Sequence, residues 1–189
     1  MKNRILFLAL MESIILLNSY GQISKRDLSI KSVVNFAFLG TGDYMGFYYY
    51  NGLQMTLSKP IKLCGTFGIL LSSNNGEKDI LITHNNSYLN GDLILVLTPV
   101  ESNKIFINFY LGSSVRKRSE FEFISITTIN GIPTPKYKID ESFDYGYLGL
   151  LGIGLKVTSR SSLVLEMGIH SYNKGTSVSS IGLGINLKL

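Results

Sequence analysis

Along residues 178–189 every second side chain is apolar: Ile181, Leu183, Ile185, Leu187 and Leu189 fall on one parity, and Gly182, Gly184, Asn186 and Lys188 on the other. Successive side chains of a strand point to opposite sides, so such a segment needs apolar surroundings on one face and a polar space on the other. The same alternation recurs upstream in Val34/Phe36/Phe38, Phe47/Tyr49/Leu53/Met55/Leu57, Leu63/Phe67/Ile69/Leu71 and Leu89/Leu93/Leu95/Leu97. It continues in Ile105/Ile107/Phe109/Leu111, Tyr147/Leu151/Ile153/Leu155/Val157 and Leu163/Leu165/Met167/Ile169. With the closing segment these predict eight strands.

The connections alternate in length. Residues 58–61, 99–104 and 159–162 are short and rich in Pro, Ser and Asn, as tight turns require, whereas 72–87 and 114–144 are long and polar. The first and last connections, near 41–43 and 173–176, are short. Two pieces of the long segments, 79–83 and 120–129, are themselves strand-like. They read either as extensions of the predicted strands or as an extra pair that makes ten strands.

Alternation does not say which face is outside. A soluble barrel needs a water-facing exterior dense in charge, but the second face reads Tyr48, Tyr50, Gly52, Gln54, Thr56, then Asn90 and Asp92, then Phe106, Asn108, Tyr110 and Gly112. Such groups suit a cramped interior. The apolar face carries no ionisable residue in any of the eight segments, with Asn51 its one strongly polar member. A Lys or Arg at mid-bilayer depth of a barrel costs about 2–4 kcal/mol, so their absence points to a lipid-facing surface. Phe47, Tyr49, Tyr145 and Tyr147 cluster at one rim on the outward parity, half of an interfacial aromatic belt.

Composition narrows the class. The mean hydropathy is +0.21 and only 16% of residues are charged, against about 25% in ordinary soluble domains. No internal stretch reaches the roughly 18 apolar residues of a membrane helix. At the N-terminus Lys2 and Arg4 precede the apolar runs 5–10 and 14–17, followed by small Ser19 and Gly21. This is the order of a secretory signal peptide, here residues 1–21, leaving 22–189 as one domain. The formal charge of +5 is spread over loops and turns, which argues against nucleic acid as a partner. One cysteine, Cys64, excludes an intrachain disulfide framework and reads as a small buried filler.

Over the whole mature length the chain resembles the small eight-stranded bacterial outer-membrane barrels of the OmpA/OmpX type, although the last residue is Leu189 where that family usually ends in an aromatic. The resemblance implies an all-β, up-and-down antiparallel transmembrane barrel, integral to the outer membrane. It also implies short turns facing the periplasm and long loops at the cell surface. Its implied partners are membrane lipid, lipopolysaccharide and the outer-membrane assembly machinery, and its implied role is a non-enzymatic anchor, adhesion or surface-presentation scaffold.

Candidate chemistry follows from position. Lys62, Asp92, Lys156, Glu166 and Lys188 fall on the inward parity. The interior of an eight-stranded barrel is only wide enough for side chains to fill it, so these read as a paired polar plug, with a narrow transporter as the alternative. Reflecting residues 156 and 166 about Arg160 predicts a Lys156–Glu166 ion pair. Arg116, Lys117, Arg118, Lys136 and Lys138 make 114–144 basic enough to meet lipopolysaccharide or another polyanion.

The enzymatic alternative is a resemblance of 168–173 to outer-membrane lipid A deacylases, which place His and Ser two apart on one strand face. Here His170 has Tyr172 at the matching place and Ser171 points to the other side. His84, His170 and Cys64 show no metal-ligand spacing, and no cofactor motif is present. Residues 85–87 match a glycosylation sequon too short to be specific.

Overall fold

The computed structural model describes residues 28–40, 44–75, 83–129, 132–174 and 177–189; the expected signal peptide, 1–21, lies outside the described residues. Eight antiparallel strands follow one another in chain order: β1 (Leu28–Leu39), β2 (Tyr44–Ser58), β3 (Ile61–Asn75), β4 (Thr83–Glu101), β5 (Ile105–Ile129), β6 (Ile132–Lys156), β7 (Ser161–Tyr172) and β8 (Val178–Lys188). Each pairs with its sequence neighbours, and β8 returns to β1 to close the barrel.

The register fixes the barrel's geometry. From Ser29 the paired residues run Gln54, Cys64, Ile94, Gly112, Leu148, His170, Val178 and back onto β1 at Leu39, ten positions from the start. A stagger of this size requires strands tilted by roughly 35–45° and encloses a space narrow enough for side chains to fill.

The predicted parity holds strand by strand. Val34, Phe36, Phe47, Leu53, Phe67, Leu71, Leu95, Phe109, Ile153, Leu165 and Leu183 stand exposed on the outside, while Lys31, Asn35, Gln54, Thr66, Asp92, Asn108, Arg116, Glu166 and His170 are buried inside. An apolar exterior around a polar interior inverts a soluble domain and identifies hydrocarbon as the surrounding solvent. Asn51, the polar exception on the lipid face, is satisfied there: its Oδ1 accepts from the Ser32 hydroxyl at 2.6 Å and the Tyr49 hydroxyl at 3.0 Å. Phe143, Tyr145 and Tyr147 join Phe36, Phe47 and Tyr49 as exposed outward aromatics toward the upper rim.

The interior is more apolar than the sequence reading allowed. Ile94, Val96, Leu148 and Leu150 point inward and pack with Cys64 and Tyr110, and Val33, Ala37, Leu39, Leu70 and Val178 pack with Tyr48, Tyr50 and Tyr88. Runs such as Leu93–Leu97, apolar on both parities, had concealed this.

Strands tighten at specific points. Gly40 ends β1 at φ 64°, the left-handed region that glycine enters without steric cost. Pro99, which cannot donate to a ladder, sits in the bulge between Leu97 and Val100. At Gly168 a Cβ would collide with the Gly149 carbonyl oxygen and lie 2.7 Å from Leu150 Cα, whereas at outward-facing Gly65 it would meet nothing within 4 Å.

The long connections are corrected. The segment 114–144 is mostly strand: β5 and β6 each run 25 residues and pair as far as Ile129 and Ile132. Residues 120–129 thus extend barrel strands and make no extra pair. Strands β3 and β4 likewise continue to Asn75 and Thr83, while most of the piece 79–83 lies outside the described residues. Charged residues at 116–122 had masked an alternation that persists through them.

Gly168→Val should therefore reduce the folded, heat-modifiable fraction on an unheated gel, consistent with an overpacking cost of about 1–3 kcal/mol; Gly65→Val should leave it unchanged. Ile153→Lys, which places an ammonium in hydrocarbon, should impair assembly by about 2–4 kcal/mol in the same assay.

Candidate functional site

Inward parity stacks the polar side chains into layers up the barrel. In the lower layer Glu166 of β7 meets Lys31 of β1: Lys31 Nζ contacts Oε1 as a charge pair without hydrogen-bond alignment, and Oε2 accepts from the Tyr50 hydroxyl. The ammonium also sits 4.1 Å from the centre of the Tyr110 ring, a cation–π contact that helps hold a desolvated cation. The Tyr110 hydroxyl accepts from Asn108 Nδ2 at 2.9 Å, and Asn108 Oδ1 accepts from the Thr98 hydroxyl at 2.8 Å. Few isolated charges survive burial, and this one is paired.

The middle layer centres on Asp92 of β4. Its carboxylate accepts from the Thr66 and Ser114 hydroxyls, each at 2.6 Å, and from Tyr48 at 3.4 Å. His170 Nε2 lies 3.9 Å away, beyond hydrogen-bond reach, and the imidazole is packed edge-on against Tyr48 and parallel to Tyr172. In the upper layer Arg116 Nε donates to Asp144 at 2.8 Å and Nη2 to the Lys174 carbonyl at 3.0 Å, with the guanidinium 3.8 Å from the Tyr172 ring. Arg118 lies above, 2.8 Å from Glu120 and 3.4 Å from Asp144, and the Tyr88 hydroxyl donates to Glu120 at 2.8 Å.

Of the residues expected inside, Asp92 and Glu166 are buried in these layers. Lys62, Lys156 and Lys188 gather at the lower rim, where Lys62 and Lys156 are half-buried and Lys188 is exposed. The expected Lys156–Glu166 pair does not form. Strand β6 meets β7 with Lys156 opposite Ser162 and Gly152 opposite Glu166, so the two charges are four positions apart along the ladder. The cause is the turn: the Thr158 hydroxyl accepts from the Arg160 and Ser161 amides, centring the hairpin one residue earlier than Arg160. Lys156 Nζ instead reaches Glu101 at 2.7 Å.

The expected surface group divides. Arg116 is fully buried and Arg118 partly so, both on the interior face and neutralised by Asp144 and Glu120. Lys117 is on the outside, 3.5 Å from Glu141, and Lys136 and Lys138 are exposed on the upper hairpin. His170 is buried inside while Ser171, the next residue, has the outward parity and is half-exposed, so a deacylase pair is not assembled there. Sequence reasoning missed Lys31 because its first strand was started at Val34. Continuing the alternation back through Ser32 and Ile30 places Lys31 inside.

No family model and no curated protein matches the chain. Solved structures do match. The crystal structure of a major outer membrane protein from Thermus thermophilus aligns at TM-score 0.59 and 13% identity, covering 86% of this chain and 99% of that one. The outer membrane protein OprG from Pseudomonas aeruginosa aligns at TM-score 0.53 and 10% identity, covering 89% and 99%.

The chain has the fold of the small eight-stranded outer-membrane β-barrels. The barrel is also similar to Ail, the attachment invasion locus protein of Yersinia pestis, at TM-score 0.50 and 11% identity, covering 86% and 96%. At such identities the likeness is one of fold, and the barrel's side chains must speak for themselves.

Glu166→Leu alone should lower the denaturation midpoint of the purified barrel by an amount corresponding to about 3–5 kcal/mol, because Lys31 is left buried without a counter-charge. Adding Lys31→Met should recover most of the loss and adding Lys156→Met should not, as a urea series on the double-mutant cycle will measure. At the rim, the hydrogen bond from Lys156 holds the Glu101 carboxyl below its ordinary 4.5. Its stabilising contribution is therefore full above that value and lost as pH falls through the lower folded value. The difference in unfolding midpoint between the wild type and Glu101→Gln should shrink accordingly on acidification.

Proposed function

We propose that this outer-membrane barrel is a non-enzymatic surface scaffold: a plugged, membrane-anchored body that presents the β5–β6 hairpin outside the cell as a recognition element. What carries the reading is a contrast within the chain. The interior is ion-paired from Glu166 up to Glu120, while among the described residues β5 beyond Phe121 has no β4 partner and β6 above Gly146 has no β7 partner. From Phe121 to Ile129 the β5 arm spans roughly 26 Å of extended chain, far more than a turn needs.

The hairpin's composition says what kind of recognition is favoured. Its charges balance: Arg116, Lys117, Arg118, Lys136 and Lys138 stand against Glu120, Glu122, Asp140, Glu141 and Asp144, and most of the former are paired. A polyanion reading is correspondingly weak and rests on Lys136 and Lys138, although Ail has been crystallised with the heparin analogue sucrose octasulfate. The aromatic side is better supplied: Phe121 stacks on Tyr137 at 4.6 Å, Phe123 packs edge-on to the same ring, and Ile126, Ile139 and Phe143 are exposed. Buried aromatic anchors dominate protein interfaces, so a protein surface is the favoured partner class. Pro133 and Pro135 on the unpaired edge of β6 discourage strand addition along that edge.

Joining Ser119 to Glu141 through Asn-Gly, which forms a tight hairpin turn between paired positions and removes the aromatic cluster, should leave the heat-modifiable barrel intact. Expressing cells should then lose adhesion to surfaces coated with extracellular protein while adhesion to heparin stays at background. A shortened barrel that adheres like the wild type would remove the hairpin from the role. In planar bilayers the wild type should show no steady conductance.

A further inference from the structure

We propose that the lower mouth of the barrel, on the periplasmic side, is a binding site for a phosphate-bearing anion. The strands end there around a cavity of about 490 Å³, within the roughly 300–1,000 Å³ of small-ligand sites. Lys62, Lys156, Arg160 and Lys188 line it against one carboxylate, Glu101. That carboxylate is already engaged by Lys156, which donates a further hydrogen bond to the Ser102 carbonyl at 2.9 Å. Among the described residues the side chains of Lys62, Arg160 and Lys188 have no anionic partner within ion-pair distance; at longer range Glu101 attracts the Lys62 ammonium, while Lys188 and Lys156 repel it.

Four cations gathered on a concave wall around a single carboxylate lower their mutual repulsion by taking up an anion, and the low-dielectric walls strengthen that attraction. Asn186 shares the wall, and its Oδ1 is enclosed without a hydrogen-bond partner. Phe106 lines it as well, its ring lying over Gly154 of the adjacent strand, where a Cβ would overlap it. Several cations on a small arc match a group with several oxygens, and phosphate, as a phospholipid headgroup or a soluble ion, supplies that chemistry.

The test uses the full-length barrel in two settings. In zwitterionic detergent, inorganic pyrophosphate is titrated calorimetrically. In phosphatidylcholine nanodiscs containing a minor share of phosphatidylglycerol, native mass spectrometry counts the phosphatidylglycerol retained on the released protein. The wild type is expected to bind in at least one setting. The double variant Lys62→Gln with Lys188→Gln should weaken that binding by roughly tenfold or more, as loss of charge-assisted contacts does, and Lys138→Gln on the distant hairpin should not.

Binding of pyrophosphate points to a soluble ligand, and retention of phosphatidylglycerol alone to a headgroup; either supports the site. No binding in both settings, or equal binding by the wild type and the double variant, overturns it. Heat-modifiable mobility confirms that each variant is folded. Should the double variant fail to fold, Lys188→Gln alone, at an exposed side chain, carries the same comparison.

Discussion

Closure of the hydrogen-bonded ring is the constraint from which the rest of this molecule follows. Hydrocarbon offers no partner to a backbone amide, so a sheet that crosses it must pair its last strand with its first. Pairing of β8 with β1 after eight strands and a stagger of ten residues sets the interior width. That width leaves room for side chains and little else. Every inward charge must then find a counter-charge or hydrogen-bond donors within the ring.

The layers show how this is met. Lys31 and Glu166 come from β1 and β7, Arg116 and Asp144 from the adjacent β5 and β6, and Asp92 is held by hydroxyls from β2, β3 and β5. Tyrosines carry much of this arrangement, since their rings fill the cross-section beside apolar neighbours while their hydroxyls serve the carboxylates. The apolar side chains between the layers make the interior a packed core with polar contacts threaded through it, which suits rigidity more than conduction.

Above and below the membrane the constraint relaxes, and the two ends diverge. At the upper end β5 and β6 leave the ring and continue as a two-stranded ribbon, with charges balanced along it and aromatic side chains meeting across it. At the lower end tight turns bring lysines and an arginine around a small cavity with one acid between them. Both are places where side chains face water on a rigid support, the usual setting for recognition.

The sequence by itself determined parity. Alternation is a property of single strands, so inside and outside, the strand count, the three short turns and the lipid-facing belt were legible from it, and Asp92 and Glu166 were correctly placed inward. The partner of each charge was not legible. Lys31 and Glu166 meet only because the ring closes, and Lys156 turned to Glu101 because a Thr158 hydroxyl shifted one hairpin by a single residue. Arg116 and Arg118 looked like surface-loop charges until the strands carrying them proved to run on through the charged stretch. Parity is decided by the chain's own geometry, residue by residue; pairing is decided by register and stagger, which are set between strands and are fixed only when the barrel is complete.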